Sequence, residues 1–243
     1  MKRPSLIEAI PLPADRYDAR FGVAAIGALA FTVLTYLSVT YYWEVRWFTG
    51  EDGVTEWWSV ATFLAAAAMA ALTARALVGS GYAVIGGINA LLAVAFLSGA
   101  LEEVSWGQRL FGWSTPGALA GINKQSETNV HNIPAVEDSI ATIFLWASIV
   151  ALAGAVVRAY LHRRGWVTTA DFLLPRLFLA PLLLMIVVWF ADAQPFLALR
   201  DRFIFNRPEV PEVVLGMCVI LYTAGNLRTV RALMSHRASV RSA

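Results

Sequence analysis

Two adjacent carboxylates, Glu102 and Glu103, end an uncharged apolar run and are followed at once by Ser105, Trp106, Gln108 and Arg109. The same stretch, Leu101 to Asn132, goes on to supply Glu127 and His131 within the text QSETNVHN. Successive residues of a helix point about 100° apart, so the two glutamates cannot face one neighbour equally. One arrangement has Glu102 satisfied by an arginine and Glu103 free for chemistry, and the reverse assignment is equally open. Carboxylates this close in a partly dry site have their proton affinities pushed apart, which is how an acid and a base arise from like residues. If the helix continues past the pair, Glu102, Trp106 and Arg109 share one face. The alternative is an acidic cap at a membrane border, with no chemistry attached.

The same residue types could hold a divalent metal. Glu127 and His131 stand four apart, on one helical face if that piece is helical, and Glu103 would complete the ligand set of Glu103, Glu127 and His131. A three-histidine zinc site is excluded by topology, since His162 and His236 fall on the opposite side from His131. Asn123, Gln125, Asn129 and Asn132 crowd around His131, and such a density of amides demands partners. No phosphate-cradling glycine loop, nucleophile elbow, CxxC pair or HExxH motif occurs, and nothing points to nucleic acid. The only lysines, Lys2 and Lys124, lie outside the apolar runs, which argues against a buried Schiff base. The single cysteine, Cys218, has no intrachain disulfide partner.

These residues need a scaffold, and composition says it lies in a bilayer. Of 243 residues 58% are hydrophobic and only 15% charged, too apolar for an ordinary soluble domain. The expected fold is an all-α polytopic bundle of about six transmembrane helices. The runs are Phe21 to Tyr42, Trp57 to Val78, Tyr82 to Leu101, Ser139 to Tyr160, Leu173 to Leu199 and Pro211 to Leu227. Each approaches the ~20 residues that cross ~30 Å of hydrocarbon. Residues 1–20 read as a tail, 21–233 as the membrane domain with a long loop at 102–138, and 234–243 as a basic C-terminal tail. Glu137, Asp138 and Ser139 sit where an N-terminal cap is expected. Small-residue stretches such as Ala61 to Ala76, and Gly86-Gly87, suit helix packing.

With both termini cytoplasmic, thirteen of the lysines and arginines fall inside and six outside, the bias of the positive-inside rule. Glu56, Glu102, Glu103, Glu127, His131 and Asp192 then share the outer face, ringed by Trp43, Trp47, Trp57, Trp58, Trp106 and Trp113. Asp192 is the deepest if the helix is continuous from Arg176, because sixteen residues rise about 24 Å. A lone charge there costs at least ~2.5 kcal/mol, so it should find a partner or a proton. The competing reading ends the span early, at Asp192. The arginines of the 200–207 loop read as a solvated rim or as lipid-phosphate contacts.

The text EEVSWGQRLFGWSTP followed by QSETNVHN, about 30 residues, resembles a segment of bacterial multi-span membrane proteins of uncharacterised function, and the likeness implies no activity. The text EWWS at Glu56 is faintly similar to the first motif of the alkaline ceramidase-like membrane hydrolases, whose histidine set is missing here.

The leading expectation is an integral membrane protein of the bacterial inner membrane, a hydrolase or transferase for a lipid-linked substrate. Glu103 would be base or ligand, His131 ligand or acid, and Arg109 an anion clamp. Two other classes stand beside it. One is a proton-coupled carrier with Asp192 and the glutamates as relay. The other is a non-enzymatic membrane subunit that binds a protein partner through residues 104–138.

Overall fold

The computed structural model describes residues 53–166, 169–192 and 209–242, with a few isolated positions between 23 and 47. Among the described residues all regular structure is helical. The long helices are α1 (Val54–Gly79), α2 (Ala83–Glu103), α3 (Pro134–Arg163), α4 (Ala180–Asp192) and α5 (Glu209–Ser242). Four of these, α1, α2, α3 and the Pro211–Ser235 part of α5, are long and apolar enough to cross a membrane. At ~1.5 Å per residue the 21 residues of α2 make about 31 Å, the thickness of a hydrocarbon core. Their outward faces are apolar too: Leu91, Val94 and Val150 are all exposed. A helix that is apolar all round is at home in lipid rather than water.

Chain geometry brings the ends of the first two helices together. The turn between them closes when the Tyr82 amide bonds Leu77 O at 2.9 Å, with Gly81 at φ +90, a conformation glycine reaches without steric cost. Counting equally back from this turn brings Glu56 level with the residues just after Glu103. Close contact keeps the pair parallel: Ala66, Ala70 and Ala74 are buried, and a Cβ on Gly86 would lie 3.0 Å from Ala74 O. Helix α1 packs on α2 and α5, α3 on α4, and α4 on α5.

Several boundaries differ from expectation. The span expected at Phe21 to Tyr42 falls largely outside the described residues, as does the 200–207 loop. Helix α3 starts at Pro134 rather than Ser139, because proline lacks the N–H that a first helical residue would leave unpaired. Ser139 Oγ donates to Ala135 O at 2.7 Å instead of capping. Helix α4 begins at Ala180 rather than Leu173, after Pro175 has pushed its predecessor out of helical geometry. Its 13 residues make only about 20 Å. Arg176 is therefore not helical, the sixteen-residue rise does not apply, and α4 ends at Asp192 itself. Helix α5 continues to Ser242 through the stretch expected to be a tail.

The backbone between α3 and α4 carries two single 3-10 turns, Thr169–Phe172 and Leu177–Leu179. Non-helical backbone among apolar helices must have its polar groups satisfied by other means. Phe172 O accepts from Asn226 Nδ2 at 2.9 Å and Tyr222 OH at 3.0 Å. Leu173 O accepts from Tyr222 OH at 3.1 Å, and Leu174 O from Arg158 Nη1 at 3.4 Å. Arg158 Nε also donates to Asp171 Oδ1 at 2.8 Å, and His162 Nε2 meets the same oxygen. Arg176 reaches Gly225 O at 3.0 Å and Thr229 Oγ1 at 2.6 Å, and a Cβ on Gly225 would overlap its guanidinium. Arg158, Asp171, Arg176 and Asn226 are all buried. This charged cluster ties the connecting segment to α3 and α5 at the end of the bundle opposite Glu102 and Glu103.

Candidate functional site

Helix α2 stops one residue after the glutamate pair. Ser105, Trp106 and Gly107 follow with φ of 49, 55 and 94, a left-handed turn, before a single helical turn at Gln108–Phe111. Left-handed geometry costs a non-glycine residue roughly 1–2 kcal/mol, so two such residues in a row require compensation. Ser105 supplies part of it from a fully buried position, donating to Glu127 Oε2 at 2.8 Å and accepting from Asn129 Nδ2 at 3.1 Å. At Gly107 a Cβ would also approach the Trp113 ring at 3.0 Å. The turn reverses the chain and lays residues 112–133 back over the end of the α1–α2 pair.

That loop is held by side-chain amides. Asn123 Nδ2 donates to both Asn129 O and Asn129 Oδ1, while Asn123 Oδ1 accepts the Gln125 and Glu127 amides at 2.9 and 3.1 Å. Gln108 Oε1 accepts the Thr128 amide at 2.6 Å and Thr115 Oγ1 at 3.1 Å. The amides around His131 therefore shape the loop that carries it. Glu127 and His131 reach the site through turns, with no helix between them.

Four carboxylates meet here, and their surroundings differ. Glu127 is saturated: Oε2 takes Ser105 Oγ and, at 2.7 Å, Asn129 Nδ2, while Oε1 takes Arg109 Nε at 3.1 Å and Nη2 at 3.0 Å. Glu56, in the first turn of α1, pairs with Arg109 Nη1. Glu102 is held by Trp106 Nε1 on one oxygen and by the Val130 and His131 amides on the other, at 2.7 and 3.1 Å. Its Oε2 also lies 3.4 Å from His131 Nδ1. Glu103 makes no hydrogen bond among the described residues, is half-buried, and lies in the field of His131, Glu56, Arg109 and Glu102.

The arrangement settles which glutamate is tied down, and corrects how. Glu102 is the satisfied one, but by Trp106, His131 and loop amides, because the helix breaks before Arg109 can reach it. Arg109 bridges Glu56 and Glu127 through all three guanidinium nitrogens. It is a strut between α1 and the loop rather than a clamp for a bound anion. Among the described residues no three His, Cys, Asp or Glu side chains are gathered as a metal ion requires. Within the expected trio of Glu103, Glu127 and His131, both Glu127 oxygens are already occupied. Asp192 closes α4, and its side chain lies outside the described residues.

His131 is held so as to present one ring nitrogen. Its Nδ1 faces the Glu102 carboxylate and therefore carries a proton, while Nε2 has no hydrogen-bond partner among the described residues. Burial acts to lower its pKa. The bond to Glu102 and the charges of Glu103, Glu102 and Glu127 outweigh burial and hold it above the ordinary histidine value. A rim of exposed aromatic residues surrounds the site: Trp57 and Trp58 beside Glu56, Trp106 beside Glu102, and the Phe111 and Trp113 rings stacked at 5.5 Å. No family model, curated protein or solved structure matches the chain.

Proposed function

We propose that the chain is an integral membrane enzyme of the bacterial inner membrane that hydrolyses, or transfers a group from, a lipid-linked substrate at the outer face. One observation carries this reading: of the four converging carboxylates only Glu103 is uncommitted, and it sits beside a histidine with one free ring nitrogen. Glu103 takes the proton from an attacking water or alcohol as the new bond to the substrate carbonyl carbon forms. His131, protonated, then returns a proton through Nε2 to the leaving oxygen as its bond to that carbon breaks. Glu102 keeps the imidazole oriented, and Arg109 with Glu127 keeps the loop in place. The tryptophan rim suits a headgroup-level entrance for an amphiphile.

The topology proposed with it has six spans and both termini cytoplasmic, supported by the thirteen-to-six distribution of lysine and arginine. The function is tested by incubating the purified full chain with a total bacterial lipid extract and following products by mass spectrometry. A lipid product formed by the wild type and reduced at least about 100-fold in Glu103→Gln, the usual scale for loss of a general base, supports the reading. A product formed equally by both proteins removes it.

A further inference from the structure

The site's charge identifies what kind of headgroup it takes, and this inference rests on the reading just given. Among the described residues Glu56, Glu102, Glu103 and Glu127 face one arginine and one histidine, so the site is net negative whether or not His131 is protonated. Arg109 is engaged with protein carboxylates through all three of its nitrogens. His131 directs Nδ1 and its backbone amide to Glu102. A phosphate or carboxylate arriving here would meet uncompensated negative charge and no open guanidinium.

A cation would meet the opposite. Glu103 offers a half-buried carboxylate with no hydrogen bond among the described residues, and the indoles of Trp57, Trp58 and Trp106 are exposed around it. Aromatic faces attract ammonium groups, most strongly where solvent is thinned, and a carboxylate at the base of such a rim adds direct charge attraction. Trp106 is fixed in place by its Nε1 bond to Glu102, so this ring is oriented before any ligand arrives. We propose that the Glu103 site binds the ammonium group of a cationic or zwitterionic amphiphile, with Glu103 as its counter-charge and the tryptophan rim as its aromatic wall.

The test uses choline and its uncharged isostere 3,3-dimethylbutan-1-ol, which share a shape and differ in charge. Each is titrated into the full chain in maltoside micelles, and binding is read by saturation transfer to the nine equivalent methyl protons. The wild type is expected to bind choline about tenfold more tightly, the effect of one desolvated cation contact. Glu103→Gln should lose most of that preference and Glu103→Asp should keep part of it. Equal binding of the two probes by the wild type overturns the proposal, and this arm needs no variant to fold. A preference fully retained in a folded Glu103→Gln also overturns it, since the cation would then sit elsewhere. Turnover is not read, so the two claims separate. A choline preference without any Glu103-dependent lipid product refutes the enzyme, and a product without the preference refutes the headgroup class.

Discussion

At one end of the bundle Asp171 is shared by Arg158 and His162 beneath helices that leave its side chain 4% exposed. At the other, Glu102 holds His131 under a loop, and Glu103 stands next to it with no hydrogen-bond partner among the described residues. Both ends combine carboxylate, arginine and histidine, and both secure a non-helical segment to helix ends. They differ in supply. Around Asp171 the printed donors are matched by backbone carbonyls and one carboxylate, so charge serves to anchor the 169–179 connection. Around Glu103 there are more carboxylates than described donors, and three of them consume those donors. A charged cluster closed on itself stabilises a fold, whereas one with an acid left over can act on something else.

The largest effect that would sharpen this contrast comes from the closed end. Replacing Asp171 by Asn leaves Arg158 buried without its counter-charge, which costs about 3–5 kcal/mol. Thermal unfolding in detergent should show the midpoint collapse. A midpoint unchanged within error would erase the distinction between the two ends.

Next comes the strut at the open end. Arg109→Met frees Glu56 and Glu127 together, and loss of charged hydrogen bonds of this kind costs about 1.5–3 kcal/mol. Hydrogen exchange should accelerate across residues 112–133, with Arg109→Lys recovering only part because it lacks the planar fork. Uniform exchange in wild type and variant would mean that Arg109 does not hold the loop.

The smallest effect is in pH. The histidine value is raised in the folded protein, so the His131–Glu102 pair contributes fully below the ordinary histidine value and is lost as pH rises through the higher folded one. Its size should stay under about 1 kcal/mol, the range of partly exposed ion pairs. Exchange at residues 130–133, corrected for intrinsic rate, should rise across that window in the wild type and stay flat in His131→Gln.

Much of the open end was legible in the sequence because hydropathy breaks sharply at Glu102. Antiparallel spans then bring Glu56 into range, and the amides around His131 need partners wherever they fold. Two features were not legible. The left-handed turn at Ser105 and Trp106 has no local signal, since neither residue favours positive φ; only Gly107 hints at it. That turn redirects Arg109 from Glu102 to Glu56 and Glu127. The closed end was missed more completely. The apolar character from Leu173 onward reads as a continuous span, and Pro175 was not given the weight its geometry carries. Arg158 and Arg176, counted among the charges of an aqueous face, are buried. Asp171, which holds one of them, lies in a loop that hydropathy alone treats as unimportant.

The central claim, that Glu103 alone among the four glutamates is uncommitted, is tested most directly by its reactivity. The folded full chain in detergent is treated with the apolar carboxyl reagent dicyclohexylcarbodiimide, and the modified residues are mapped by mass spectrometry. Glu103 should be modified at least about tenfold faster than Glu56, Glu102 or Glu127, each held by donors worth more than 1.4 kcal/mol together. Equal modification of all four, or earlier modification of Glu102, would contradict the account.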